Sequence, residues 1–495
     1  MQLDLPELDA LAEPATLSAP KSYTGLQAFH KYWGKKPSEP LRFAIEQLTG
    51  RGDLVVDPFL GSGGVAVEAL SLDRRTIGID VNPIAVRIAR MLADPPTASA
   101  VRKALESMRE SVKVEISSTY LTEDGRQATH YLWDLSGIME VWAQSASRRA
   151  REVIQPSLHD SELSSRYADY RARKFRSPRF FQNSRINARA EMALPDLFTG
   201  RALRNIELIY EAIEGLPPDQ REPMLLSLTS SVGQMSRMVF TISRRGKKSG
   251  KVKARLEVGS WVIGYWRPQQ HFEINVWNFF ESRVRRLIKA LEERGSNDSV
   301  RIHGDYGDVV DGNAHYALCR ANCLEALQQV PDRCIDLILT DPPHGDRIPY
   351  LELSELWNVI LQEEPAFEPE IVVSNAKMRG KSITAYNDDM ASFMQLASQK
   401  LTEGGAMVLF FNARSAEHWR FAVPYLEAQV GSGIRFRGCF PLTYSAGSVV
   451  QDNRLGALKE DFGLVFSHTT KAVTRISAVE GWTECPPLAL VASCL

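Results

Sequence analysis

Three short stretches hold residues whose types and spacing suit chemistry. The first is LILTDPPHGD, 337–346. Leu337 to Thr340 suit a buried strand, and then come an acid, two prolines, a histidine and a glycine. Proline lacks the N–H that a strand ladder needs, so the strand ends there. Asp341 then sits at the strand's carboxyl tip, Pro342 and Pro343 make the following backbone rigid, and His344 offers a flat ring. An ordinary Asp-Pro turn is the alternative this stretch leaves open by itself. The second stretch is LVVDPFLGSGGVAVEA, 54–69, and the third is TIGID, 76–80.

These residues need elements to position them. Leu54 to Val56 read as a strand, Asp57 and Pro58 end it, and Gly61, Ser62, Gly63 and Gly64 make a turn. A helix follows, with Val65, Ala69 and Leu72 on one face. Such a turn lets a ligand approach the backbone closely, and the helix N-terminus favours its polar groups. Asp80 ends the next strand, 23 residues after Asp57. That is near the roughly 20-residue spacing at which a second-strand carboxylate meets a ribose. Asn82 is expected to cap a helix that opens with Pro83 and carries Ile84, Ile88 and Met91 inward. A nucleoside-containing cofactor follows from this pattern. Upstream, Ser38 is expected to cap a helix with Leu41, Ala44, Ile45 and Leu48 on one stripe. Lys35 and Lys36 would then lie at the sheet's carboxyl edge, where a cofactor carboxylate could be neutralised. Two solvated loop lysines are the alternative.

The stretches DPFLGSGGVAVEA, GIDVNP and TDPPH together resemble the cofactor and catalytic motifs of S-adenosylmethionine-dependent DNA amino-methyltransferases. YWGKKPSEP, 32–40, resembles the segment that such enzymes place over the methionine end of the cofactor. HGDRIPYLELSELW, Tyr386 and GGAMVLFFN resemble one branch of the family. The resemblance implies S-adenosyl-L-methionine as cofactor, bound by Trp33, Lys35, Lys36, Pro37, Asp57, Pro58, Phe59, Gly61, Ser62, Gly63, Asp80, Asn82, Pro83, Asn322 and Cys323. The family often has an acid where Asn322 and Cys323 stand. It also implies that Asp341, Pro342, Pro343 and His344 are catalytic. The Asp341 carboxylate and the Pro342 carbonyl would accept the two N–H groups of an exocyclic amine and aim its lone pair at the sulfonium methyl. The fourth motif position is usually a larger aromatic. His344 could stack on a base flipped from the duplex, mark an altered substrate, or mark a decayed site.

Asp57 and Asp341 are 284 residues apart, whereas about two βα units of roughly 30 residues each should separate them. The excess implies an insertion. Residues 141–300 hold 28 Lys and Arg against 17 Asp and Glu in a chain of net charge -1. RARKFRSPRF, 171–180, has five basic residues and no acid, and TISRRGKKSGKVKAR, 241–255, has seven and no acid. Backbone phosphates attract such segments, so Arg173, Lys174, Arg176, Arg244, Arg245, Lys247, Lys248 and Lys251 are the expected DNA contacts. NFFESRVRRLIKALEERG, 278–295, reads as an amphipathic helix with Phe280, Val284, Leu287 and Leu291 inward and Arg283, Arg285, Arg286 and Lys289 mostly outward. LFTGRALRNIELIYEAI, 197–213, reads as a scaffold helix. Later strands are expected at 406–411 and 462–466, with Glu403-Gly404-Gly405 as a turn before the first.

The expected fold is α/β: a doubly wound Rossmann-like methyltransferase sheet, interrupted by a mostly helical or mixed target-recognition insertion. Its expected parts are a flexible tail at 1–20, a discontinuous catalytic domain at 21–100 and 312–470, the insertion at 101–311, and a C-terminal tail at 471–495. The six cysteines include no CxxC pair, so no metal is expected. No apolar run reaches membrane-spanning length, and the N-terminus is acidic and Pro/Ala-rich, so the expected location is cytoplasmic and nucleoid-associated. The expected activity is site-specific methylation of an exocyclic amine in double-stranded DNA, adenine N6 before cytosine N4. RNA or protein-amide methylation and a cofactor- and DNA-binding regulator are the rivals. A restriction or defence-system protein is an open partner.

Overall fold

The computed structural model describes residues 23–145, 151–242, 256–261, 263–295, 301–412, 416–426, 433–442 and 461–486. Its strands in chain order are β1 (Leu54–Asp57), β2 (Arg75–Asp80), β3 (Ala128–Asp134), β4 (Gly137–Gln144), β5 (Arg151–Ile154), β6 (Thr241–Ile242), β7 (Glu257–Val258), β8 (His271–Ile274), β9 (Tyr316–Arg320), β10 (Ile335–Thr340), β11 (Leu401–Phe411), β12 (Arg435–Leu442) and β13 (Asp461–Ser467). Seven of them form one sheet in the order β12-β13-β11-β10-β1-β2-β9. The pairs β1–β2, β2–β9, β1–β10 and β10–β11 are parallel, while β13 runs antiparallel to both β11 and β12.

The order sets where a ligand can sit. From β1 the chain winds outward through β2 to β9, then returns to lay β10 against the other side of β1. The strand order therefore reverses between β1 and β10. Helices on opposite faces leave a crevice at the carboxyl ends of the two strands at such a point. Asp57 ends β1 and Asp341 follows β10, so the reversal brings residues 284 apart in sequence to one place. The strands are apolar because helices cover both faces: all four residues of β1 are buried. α1 (Ser38–Leu48) packs Leu41, Ala44 and Ile45 beside Val55, Leu337 and Val408.

The local readings hold in most places. α2 (Gly64–Ser71) follows the glycine turn, and α3 (Pro83–Ala93) opens with Pro83 and buries Ile84, Ile88 and Met91. Some details differ. Ser38 is inside α1, whose cap is Pro37, and its hydroxyl receives Gln27 Nε2 at 2.5 Å. Asn82 occupies the cap position of α3 but makes no side-chain cap bond there. Residues 403–405 lie within the continuous strand β11 instead of forming a turn, and the β10–β11 pairing absorbs the glycines through a register shift between Ile335 and Leu337. The C-terminal tail begins later than residue 471. Val473, Ile476 and Val479 are buried against the sheet, and Thr483 exchanges backbone hydrogen bonds with Cys439.

Between α3 and β9 the chain builds a second layered body. It holds the antiparallel sheet β5-β4-β3-β8 and the helices Ala98–Met108, Gly200–Glu214, Pro218–Val232 and Val276–Arg294. Phe280, Val284, Leu287 and Leu291 are buried and Arg285, Arg286 and Lys289 are exposed, as their spacing predicts. Arg283 is instead half-buried. This body shares one apolar cluster with Trp33, with α3 and with the helix Tyr350–Ile360, so it is packed onto the sheet domain.

Candidate active site

A cleft of about 1140 Å³, counted with its open mouth, lies at the crevice between β1 and β10. Trp33, Lys35, Lys36, Asp57, Pro58, Phe59, Gly61, Ser62, Asp80, Asn82, Asn322, Cys323, Asp341 and Pro343 all line it. Pro37, Gly63, Pro83, Pro342 and His344 are not on its wall. The cleft is large enough for a small organic cofactor with room left for a second group.

The glycine turn is built for close approach. Gly61 and Gly63 have φ of 52° and 83°, a region that L side chains resist. A Cβ on Gly63 would also lie 2.5 Å from the Cβ of Ala89, so only glycine lets α2 and α3 meet there. Asp80 braces the turn: its two oxygens receive the amides of Gly61 and Asn82, each at 2.8 Å. Each oxygen keeps a second lone pair, so the side chain can still accept from a ligand hydroxyl. Burial pushes the Asp80 carboxyl up to about 6, against those two amide bonds. Burial likewise pushes Asp57 up to about 7, although it receives Thr340 Oγ1 at 2.6 Å and the Phe59 amide at 3.2 Å. The turn, the Asp80 acceptor and the cleft volume fit a nucleoside cofactor.

The two lysines line the cleft and are held by other groups of the protein. Lys35 Nζ donates to the backbone carbonyls of Gln27 and His30 at 2.8 and 2.7 Å, and burial lowers its pKa to about 8. Lys36 Nζ sits 2.7 Å from Asp341 Oδ2 and 3.3 Å from Asp461 Oδ2. Burial alone would lower the Lys36 pKa, but the two carboxylates outweigh it and hold the ammonium above its usual range. Burial would raise the Asp461 carboxyl, but Lys36, His344, Arg347 and the Asn412 Nδ2 hydrogen bond at 2.6 Å together hold it below the usual carboxylate range. Asn322 is likewise committed: Oδ1 caps the following helix at the Leu324 amide and Nδ2 donates to the Pro369 carbonyl.

The DPPH loop stands at the carboxyl tip of β10. Tyr386 donates its hydroxyl to the Pro343 carbonyl at 2.6 Å and so pins the loop. The His344 ring packs edge-on against Phe411, with centroids 5.0 Å apart at 83°. Its Nε2 lies 3.1 Å from Asp341 Oδ1. That approach is out of hydrogen-bonding alignment: Asp341 Oδ1 is buried and receives no hydrogen bond among the described residues.

Several wall residues have partners that the sequence does not show. Tyr32 and Tyr350 stack at 5.9 Å and 22° over the cleft. Asn82 reaches across to Tyr32 Oη at 3.2 Å and Ser354 Oγ at 2.8 Å. Behind them, the helix Tyr350–Ile360 buries Glu352 and Glu355. Arg379, itself buried, pairs with Glu352 and Glu370 at 3.1 and 2.7 Å. No periodicity could reveal partners that meet only by folding.

The basic residues divide. Arg173 and Lys174 are exposed, and Lys174 pairs with Glu214 at 3.1 Å. Arg176 is half-buried and already engaged: it grips buried Glu355 at 2.8 and 3.1 Å and donates to the Glu363 carbonyl. Arg244, Arg245, Lys247, Lys248 and Lys251 lie outside the described residues. No described helix is long and apolar enough to cross a membrane.

Comparison with known proteins shows a family likeness. Residues 14–91 match the N6/N4 methyltransferase family model, described as DNA methylase. The chain is 27% identical over 88 residues to the Type II methyltransferase M.MjaII of Methanocaldococcus jannaschii, covering 18% of this chain and 17% of the relative. It is 41% identical over 64 residues to the Type II methyltransferase M2.DpnII of Streptococcus pneumoniae, covering 12% and 24%. It is 47% identical over 53 residues to the Type II methyltransferase M.Cfr9I of Citrobacter freundii, covering 11% and 18%. The matches thus span less than a quarter of each relative's length. Residues 14–91, which hold the glycine turn and the Asp80 strand, resemble the N6/N4 DNA methylase family, and the similar relatives are Type II methyltransferases.

Proposed function

We propose that this protein transfers a methyl group from S-adenosylmethionine to an exocyclic amine of a base in double-stranded DNA, adenine N6 before cytosine N4. The observation that carries the reading is the convergence of the glycine turn, Asp80 and Asp341 on one cleft at the strand-order reversal. The bound cofactor would supply an electrophilic methyl group near the glycine turn, with Asp80 accepting from its ribose hydroxyls. An exocyclic amine is a weak nucleophile because its lone pair is delocalised into the ring. Asp341 accepts a hydrogen bond from one of its N–H groups and the Pro342 carbonyl accepts one from the other, which draws the nitrogen toward a tetrahedral shape. Tyr386 holds the loop carrying these acceptors, so little reorganisation is left for the reaction itself. The base leaves the duplex to reach them. The exposed Arg173 and Lys174 and the basic segment 241–255 suit the DNA backbone.

The test is transfer of labelled methyl to DNA and to total RNA, each digested to nucleosides. Labelled N6-methyladenine in DNA is expected. Label confined to RNA or to protein would replace the substrate. Asp341→Ala should abolish transfer while cofactor affinity stays within a few-fold, since the carboxylate acts on the reacting amine. An Asp341→Ala protein that still transfers methyl would end this assignment.

A further inference from the structure

Asp341 is handled unequally at its two oxygens. Oδ2 receives the Lys36 ammonium at 2.7 Å. Oδ1 is buried yet receives no hydrogen bond among the described residues. A buried acceptor without a donor is costly, and such groups in folded proteins demand an explanation. Lys36 is itself constrained. Its side chain is 8% exposed, and Asp461, 9% exposed, holds it from the far side at 3.3 Å. Asn412 then holds Asp461 at 2.6 Å. The result is a connected series, Asn412 to Asp461 to Lys36 to Asp341, running from the β11 and β13 ends to the catalytic loop.

We propose that Lys36, anchored by Asp461, is a positioning residue that locks the Asp341 carboxylate so that Oδ1 is kept for the target amine. This rests on the methyl-transfer reading above. The carboxylate can rotate about its last torsion, and an ammonium bound to one oxygen removes that freedom. With Oδ2 occupied, an incoming N–H is directed to Oδ1, and the His344 ring beside Oδ1 must give way slightly to admit it. Lys36 touches neither the amine nor the methyl group in this arrangement. Asp461 keeps the ammonium from swinging into the cleft that it also lines.

The test compares wild type, Lys36→Met and Lys36→Arg as whole proteins. Three readouts are used: S-adenosylmethionine affinity by calorimetry, single-turnover methyl transfer at saturating cofactor and DNA, and crystal structures. Lys36→Met should bind the cofactor within about threefold of wild type and transfer methyl about a hundredfold more slowly. Lys36→Arg should recover at least about tenfold of that loss. The Asp341 carboxylate should be rotated in the Lys36→Met crystals and unrotated in wild type. The opposite pattern, affinity reduced thirtyfold or more with the saturated rate unchanged, would make Lys36 a clamp on the cofactor carboxylate and overturn the proposal. An unrotated Asp341 in Lys36→Met also overturns it. If wild type transfers no methyl to DNA, the functional reading fails, and the carboxylate orientation in the two crystals still decides this proposal.

Discussion

Asp80 receives the Gly61 and Asn82 amides on separate oxygens, and burial raises its carboxyl to about 6. Below that pH it takes up a proton, and one oxygen becomes a donor. A ribose hydroxyl bound to the ionised form would lose its acceptor. The free protein therefore binds the extra proton and the cofactor complex excludes it, so acid opposes binding. Cofactor affinity should fall as pH drops through 6, by up to about tenfold per unit for one proton. Asp80→Asn should bind more weakly and without that dependence. Calorimetry between pH 5 and 8 checks both; a flat wild-type profile would remove Asp80 from the cofactor contacts. Lys36 shows the other side of reading single residues. Its type and place near the sheet edge were legible, but its partner was not. Asp341 lies 305 residues further on, and a lysine near two acidic sites carries no mark of which one it meets.

The packing of α2 on α3 depends on one missing side chain. Gly63 at φ 83° has Ala89 where its Cβ would stand. Gly63→Ala should therefore cost about 2 to 4 kcal/mol, part from the left-handed backbone and part from overpacking. Ala89→Gly in the same chain should recover only part of this loss, because the Ala89 Cα would still lie 2.8 Å from the added Cβ. Urea unfolding of the single and double variants measures that part; full recovery would mean that neither the backbone conformation nor the Cα approach costs anything. The helix Tyr350–Ile360 carries a different load. Arg379 neutralises Glu352 and Glu370 inside the protein, and its own side chain is 2% exposed. Arg379→Met would strand two buried carboxylates, at about 3 to 5 kcal/mol. A loss below about 1 kcal/mol would show that water reaches the pair. Because this helix follows the DPPH loop in the chain and its Glu355 holds Arg176 of the inserted body, it ties that body to the loop. In the sequence it was a motif fragment; its buried charges give no strand or helix period to follow.

At the scale of the whole molecule, the proposed function assigns chemistry and recognition to different parts. The sheet domain supplies the cleft, and the inserted body holds the positive charge surplus. Neutralising Arg244, Arg245, Lys247 and Lys248 together should flatten the slope of log DNA affinity against log salt by up to about 0.9 for each DNA phosphate that is no longer neutralised. The saturated methyl-transfer rate should change little. A slope equal to wild type would place this segment away from the DNA.

Local order was legible from the sequence: strand, glycine turn, helix and a second-strand acid, then a strand ending in Asp-Pro-Pro, with an insertion long enough to break the sheet. These follow from nearest-neighbour physics. Proline ends ladders, glycine permits positive φ, and apolar spacing declares a buried face. Only the tertiary structure decided which side chains share a site. Strand order reversed between β1 and β10 and so joined Asp57 to Asp341. It turned Lys36 to Asp341 and Asp461, committed Arg176 to Glu355 and set His344 against Phe411. The edge strand β12 and the buried packing of residues 473–479 also came only from folding. Their residues pair with partners far along the chain, and an ion pair formed in the interior depends on burial that no short window of sequence contains.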